Sequence, residues 1–354
     1  MGLIALGLMT GCGDKAFQDS DGDGVSDTEE VAAGTDPHDP ASTPPRKPAK
    51  PAKPAKPVFS FTSTAPAVSL EECTPVTDYA SATANAAGAV TYSLAGADAA
   101  DFNVSATGVV TFVGATPDFE TKASYTYDLS ANDGTATITQ TATLTITDFT
   151  VTHNGTPYGC VTNDTTGRVW LDRNLGAAEI CTAPTDVACY GDYYQWGRGF
   201  DGHQDSTSGT TPTLASNVNT VGHGDFIIIN AAPNDWVDAG VDDNGAIRSA
   251  FFAKTDGTGV CPTGYRVPTY SELFTEEESW SSITAAGAFE QLKLPMAGYN
   301  FRYNGMLNVA DTRGYYWTSV TDGTLSRRLI LNEAGARISN SDRANGFSIR
   351  CLKN

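Results

Sequence analysis

The chain has 354 residues, with 22 Lys and Arg against 41 Asp and Glu, a formal net charge of −19 and a sequence pI near 4.4. Such a balance excludes nucleic acid as a partner, because phosphate binding needs Lys and Arg gathered on one surface. Arg46, Lys47, Lys50, Lys53 and Lys56 all fall in one linker and leave the remainder more acidic still, so calcium is a natural ligand.

Residues 1–12 form a short apolar run that ends in small residues before Cys12. A transmembrane helix is excluded, since it would need about 18 to 20 apolar residues. The run resembles a bacterial lipoprotein signal with its lipobox at Met9-Thr10-Gly11-Cys12, although no basic residue precedes it. This resemblance implies lipid attachment at Cys12 and a lipid-anchored place at the bacterial outer membrane or cell surface.

Residues 13–40 hold a twelve-residue acidic loop, Asp19 to Glu30, with carboxylates at loop positions 1, 3, 5, 9 and 12 and Gly24 at the sharp turn. Calcium takes six to eight oxygens, and alternate side chains plus one carbonyl supply them. Asp19, Asp21 and Asp23 are expected to give the first side-chain oxygens and Val25 its carbonyl. Asp27 would add an oxygen directly or through water, and Glu30 both of its own. An EF-hand needs two flanking helices, whereas Glu29 to Ala33 allows barely one turn before Gly34-Thr35-Asp36-Pro37 stops it. The stretch therefore resembles the bacterial thrombospondin type 3 repeat, which implies structural calcium and a stiffened spacer.

Residues 41–57 turn to Pro, Ala and Lys, ending in a three-residue repeat from Pro48 to Pro57. Proline at every third position favours extended polyproline II, a semi-rigid stalk of roughly 3 Å per residue.

From 58 to 148, short runs alternate at period two: Val90 to Leu94, Gly108 to Val113, Tyr125 to Ser130 and Ala136 to Thr147. These predict antiparallel strands with one buried face, an all-β sandwich of about 90 residues. Tyr92-Ser-Leu94, Asp101-Phe-Asn-Val104, Gly108-Val-Val-Thr-Phe112, Asp118-Phe-Glu120, Ser130-Ala-Asn-Asp-Gly134 and Thr145-Ile-Thr-Asp148 resemble a bacterial cadherin-like repeat. That resemblance implies calcium at the domain edge on Asp118, Glu120 and Asp133, with Glu72 and Asp148 beside them. Those same aspartates also suit ordinary turns.

Residues 149–354 differ in character, with all five tryptophans, most of the cysteines and many glycine-rich loops. Gly167 to Gly176, Tyr190 to Arg198, Asp201-Gly-His203, Cys261 to Thr269, Tyr315 to Ser319 and Gly346 to Cys351 resemble, in order, the Fibrobacter major paralogous domain. This implies an irregular α+β fold of the C-type-lectin-like or formylglycine-generating-enzyme-like kind. Thr269-Tyr-Ser-Glu272 reads as a capping box for a helix through Glu278. Ile283, Ala286, Phe289 and Leu292 recur at helical spacing and predict a second helix.

Six cysteines besides Cys12 suit an exported, oxidised protein. Cys181 and Cys189 can close a small loop, and Cys261 and Cys351 bracket the last segment. Cys73 and Cys160 either pair across two domains or stay free. No nucleophile elbow or second C-terminal cysteine is present, so no enzyme is expected; His203 and His223 read as loop histidines rather than zinc ligands. Trp170, Trp196 and Trp317 are expected in the core, while Tyr299, Phe301 and Tyr303, alternating with polar residues, are candidates for stacking on a sugar.

The expected layout is thus multidomain: calcium loop, Pro-rich stalk, cadherin/Ig-like sandwich, lectin-like head. It implies a cell-surface lipoprotein in adhesion or ligand recognition, with a cell-surface or matrix protein or a polysaccharide as partner. The alternative is a non-catalytic carbohydrate-binding component that supports polysaccharide degradation.

Overall fold

The structure, a computed structural model, describes residues 18–43, 59–62, 68–74, 78–81, 83–85 and 89–354. Cys12 and nearly all of the proline stalk lie outside the described residues. The chain divides into two compact units, residues 1–57 and 58–354.

In the first unit the acidic loop leads into helix α1, Asp27–Ala33. Ser26 caps it by accepting from the Glu29 N–H, and Gly34, in the left-handed region at φ 81°, ends it. The helix is two turns long rather than the single turn expected, because Asp27 already sits inside it and the Asp27 N–H reaches back to the Gln18 carbonyl at 2.8 Å.

The second unit begins with a sandwich. Strands β1 (Val68–Glu71), β3 (Thr91–Ala95), β6 (Ser124–Asn132) and β7 (Thr137–Thr147) form one sheet in the order β1-β7-β6-β3. Strands β2 (Asp78–Ser81), β4 (Phe102–Val104) and β5 (Val109–Phe112) form the other, in the order β2-β5-β4. The alternation along β6 buries Tyr125, Tyr127, Leu129 and Ala131, and its antiparallel partner β7 buries Ala142, Leu144 and Ile146. Phe102, Val110 and Phe112 from the second sheet close this core. The first and last strands, β1 and β7, pair in parallel.

Beyond Asp148 the unit continues as short strands and helices around separate cores. Strands β8 (Cys160–Asn163) and β9 (Arg168–Leu171) pair, and β9 meets Leu352–Lys353 near the C-terminus. A larger antiparallel sheet is built from β10 (Gly314–Asp322), β11 (Leu325–Asn332) and β12 (Gly335–Ser341). Trp170, Trp196 and Trp317 are fully buried, as expected of core aromatics.

Three helices pack on this frame. α3, Tyr270–Glu278, carries both halves of its capping box, Thr269 and Glu272. α4, Ala285–Leu292, forms where the spacing predicts, but its buried face is Ala285, Ala288 and Leu292. Ile283 and Ala286 are exposed, because Thr284 is the cap, which leaves Ile283 outside the helix and puts Ala285 and Ala288, one residue before Ala286 and Phe289, on the buried face. α2, Ala246–Phe252, carries no sequence signal: its cap is Gly245, with no side-chain bond.

The polar interior was not foreseen. The guanidiniums of Arg198 and Arg248 lie over Trp236, and those of Arg248 and Arg343 over Trp196, at 5.0 to 5.7 Å. Asp235 holds Arg248 and Arg343 together, at 2.5 and 3.3 Å. Buried charge of this kind is tolerated only with a full partner set, and Arg198, Arg248 and Arg343 each have one.

Three disulfides join Cys73 to Cys160, Cys181 to Cys189 and Cys261 to Cys351. The first ties the sandwich to the segment beyond it. Beside it the Thr116 N–H donates to Asp164 Oδ1 at 3.3 Å.

Candidate functional site

The acidic loop of the first unit is shaped by its own amides. Asp19 accepts from the N–H groups of Gly22 and Gly24 at 2.7 and 3.0 Å, Asp21 from Asp23 at 3.3 Å, and Asp23 from Val25 at 2.8 Å. Gly22 and Gly24 have φ of 78° and 92°, values that glycine adopts without steric cost. The result brings one carboxylate oxygen each of Asp19, Asp21 and Asp23 within 4.8 Å of one another.

Several of these oxygens lack a partner. Asp21 Oδ2, Asp23 Oδ2 and both oxygens of Glu30 are buried and make no hydrogen bond. Glu30 itself is 0% exposed on the first turn of α1. Burial raises its pKa, and the charges of Asp21, Asp23, Asp27 and Asp19 raise it further. Asp21 is raised for the same first reason. A buried carboxylate oxygen without a donor is costly, and a hard divalent cation is what such oxygens accept. The residues therefore fit calcium. Asp27 plays a different part: both of its oxygens accept from Ser20, at 2.7 and 2.6 Å, and this bonding lowers its pKa.

A second acidic group stands at the end of the sandwich. Glu72, Glu120 and Asp148 bring carboxylate oxygens within 4.8 Å of one another. Glu72 is only 2% exposed, but its oxygens are satisfied: Phe119 N–H donates to one at 2.8 Å and Phe149 N–H to the other at 3.0 Å. Burial is the main reason its pKa is raised. Of the residues that the cadherin resemblance implied, Glu72, Glu120 and Asp148 form this group while Asp118 and Asp133 lie outside it. Asp118 is exposed and accepts from the Thr121 N–H in a turn. Asp133 accepts from Thr135 and Ala136 in the β6–β7 turn.

In the C-terminal segment His203 is fully buried. Its Nδ1 lies 2.6 Å from Asp201 and its Nε2 accepts from the Gln195 N–H at 3.0 Å, so neither nitrogen is free for a metal. Burial lowers its pKa to about 4. Tyr299, Phe301 and Tyr303 form an edge-to-face chain, at 5.9 and 4.6 Å between successive rings. They do not share a strand: Tyr299 packs on the core, and the chain turns at Phe301, where it accepts from Gly305. Tyr303 is 41% exposed, with the Arg302 guanidinium 3.8 Å over its ring.

A family profile described as the bacterial TSP3 repeat matches residues 19–40. No curated protein matches the chain. Among solved structures, human protocadherin-24 EC1-2 is similar at 20% identity over 27% of this chain and 49% of that one, with a TM-score of 0.23. Drosophila N-cadherin EC1-4 is similar at 19% identity over 26% and 25%, with a TM-score of 0.23. Protocadherin gamma B2 extracellular domains 3-6 is similar at 23% over 28% and 26%, with a TM-score of 0.24. The chain thus spans half or less of each. Likenesses with TM-scores this low decide neither fold nor function.

Proposed function

We propose that this chain is a calcium-binding protein of the bacterial cell surface, anchored through lipid at Cys12, whose C-terminal head recognises a ligand in adhesion without catalysis. The four unpaired, buried oxygens of Asp21, Asp23 and Glu30 carry the calcium part of this reading. The three disulfides support an oxidising location, since such bonds persist outside the reducing cytoplasm. Among the described residues no helix is long and apolar enough to cross a membrane. The occupied nitrogens of His203 and the disulfide at Cys351 support a head without a catalytic metal or thiol.

A second reading, a carbohydrate-binding component of polysaccharide degradation, is favoured by the exposed ring of Tyr303 next to Met306 and Leu307. Either way, calcium fills the loop at about 0.1 to 1 mM, as extracellular modules do. Terbium luminescence and calorimetry on the full chain test this. The expected result is one saturable site that Glu30→Gln removes; calcium uptake unchanged by that substitution sinks the reading.

A further inference from the structure

In a protein of net charge −19, three arginines that form no ion pair converge on one face of the β10–β12 sheet. The register places Tyr315 of β10, Ile330 of β11 and Arg337 of β12 in one row, and Trp317, Arg328 and Ser339 in the next. Side chains two apart on a strand share a face, so Arg328, Arg337 and Tyr315 are neighbours. Arg328 lies over the rings of Tyr315 and Phe347 at 5.0 and 5.2 Å, and its Nε is buried with no hydrogen bond. Arg313, just before β10, lines a cavity of about 260 Å³ together with Arg337, Ile330 and Asn332.

Elsewhere in the same segment most arginines are matched by carboxylates, among them Arg248 and Arg343 by Asp235, Arg266 by Glu272, Arg302 by Asp342 and Arg327 by Asp322, while Arg168 and Arg350 donate to neutral oxygens instead. Among the described residues Arg313, Arg328 and Arg337 have no such partner. Asp342, whose charge acts on Arg328, is already held by Arg302 at 2.8 Å. One exposed carboxylate, Glu333, stands in the β11–β12 turn against three guanidiniums. The floor of the face is aromatic, with Tyr299 4.8 Å from Tyr315 and Tyr315 stacked 5.2 Å from Phe347.

We infer that this face binds the anionic groups of an acidic polysaccharide, carboxylate or sulfate, with Arg313 and Arg337 at the rim and Arg328 against the aromatic floor. Guanidiniums pair with oxyanions through two parallel N–H bonds, and a guanidinium stacked on an aromatic face, as Arg328 is, is held ready for such a pair. The charge logic is direct: outside the basic linker an acidic protein repels such a polymer over most of its surface, so a cluster of unpaired guanidiniums selects where it lands. The inference rests on the reading of the head as a recognition module and supplies its substrate class.

The test uses the full chain in affinity electrophoresis against two matched pairs, dextran sulfate with dextran and polygalacturonate with its methyl ester. It is run in about 1 mM calcium and again in EDTA, because polyuronate can bridge through bound calcium. Retardation by a charged polymer and not by its neutral mate, in both buffers, is expected. Dextran sulfate alone would assign the anion as sulfate, and polygalacturonate alone as carboxylate. Retardation should fade as salt rises from about 0.1 to 1 M, where screening shortens from roughly 10 to 3 Å. The double variant R313Q/R337Q, on two exposed side chains, should bind at least about ten-fold more weakly, while R327Q, whose partner is Asp322, should bind like the wild type. Equal binding by the double variant, equal loss in R327Q, or retention only with calcium overturns the inference. If a neutral glycan or a matrix protein binds and the anionic polymers do not, the inference falls and the recognition reading stands. If nothing binds, both fall.

Discussion

Two acidic groups sit at very different positions in the chain and behave as opposites. In the loop of Asp19, Asp21, Asp23 and Glu30, buried carboxylate oxygens have no donor. In the group of Glu72, Glu120 and Asp148, the one buried member has a backbone N–H on each oxygen. The count of acids is similar, so it decides nothing. What separates a site that demands a cation from a latch that works without one is whether its buried oxygens are already paired.

The largest expected effect falls on the loop. Glu30→Gln removes a charge and one ligand oxygen while keeping the size of the side chain, and should weaken calcium binding about 100-fold. In EDTA the wild-type amides of residues 18–43 should lose hydrogen-exchange protection, because only self-made turns remain against the repulsion of Asp19, Asp21, Asp23 and Glu30. Protection that is the same with and without calcium would erase the contrast with Glu72.

Next in size is Glu72→Ala. It strands the N–H groups of Phe119 and Phe149, and each orphaned buried donor costs about 1 to 3 kcal/mol. A loss of about 2 to 4 kcal/mol in urea unfolding of the 58–354 unit is expected, equal in calcium and in EDTA. A loss that appears only in calcium would make this group an ion site and abolish the distinction.

How much of this was legible follows the same line. The loop could be read because its ligands are consecutive and their spacing is the signal. The capping box at Thr269 and Glu272 could be read for the same reason. The junction was partly legible: Glu72, Glu120 and Asp148 were named and do meet, whereas Asp118 and Asp133, named with them, bond to their own turns. Adjacency in sequence does not say which carboxylate faces a partner domain. The basic face was not legible at all, since Arg313, Arg328 and Arg337 come from three chain segments and meet only through the register of β10 to β12. Nor was the role of His203, whose ring is closed off by Asp201 on one side and a backbone amide on the other.

The smallest effect concerns a carboxylate that has every partner, a cation included. Glu272 takes two guanidinium bonds from Arg266 at 2.8 and 2.6 Å and also caps α3 through the Thr269 N–H at 2.8 Å. The Arg266 bonds, helped by Thr269, hold its pKa down to about 2, below the ordinary 4.5. A depressed folded-state pKa means that the ionised form favours folding. The contribution is therefore complete above pH 4.5 and disappears as pH falls toward 2. Glu272→Gln should lower stability by about 1 to 2 kcal/mol at neutral pH. The gap from wild type should close in acid, because protonation gives the wild type the same neutral side chain. Glu30 shifts the opposite way without its ion, so acid relieves the loop while it weakens α3. Denaturant unfolding of both chains across that pH range, followed by tryptophan fluorescence, reads the gap; one that stays constant to pH 2 would show that the Arg266 pair adds nothing beyond the cap.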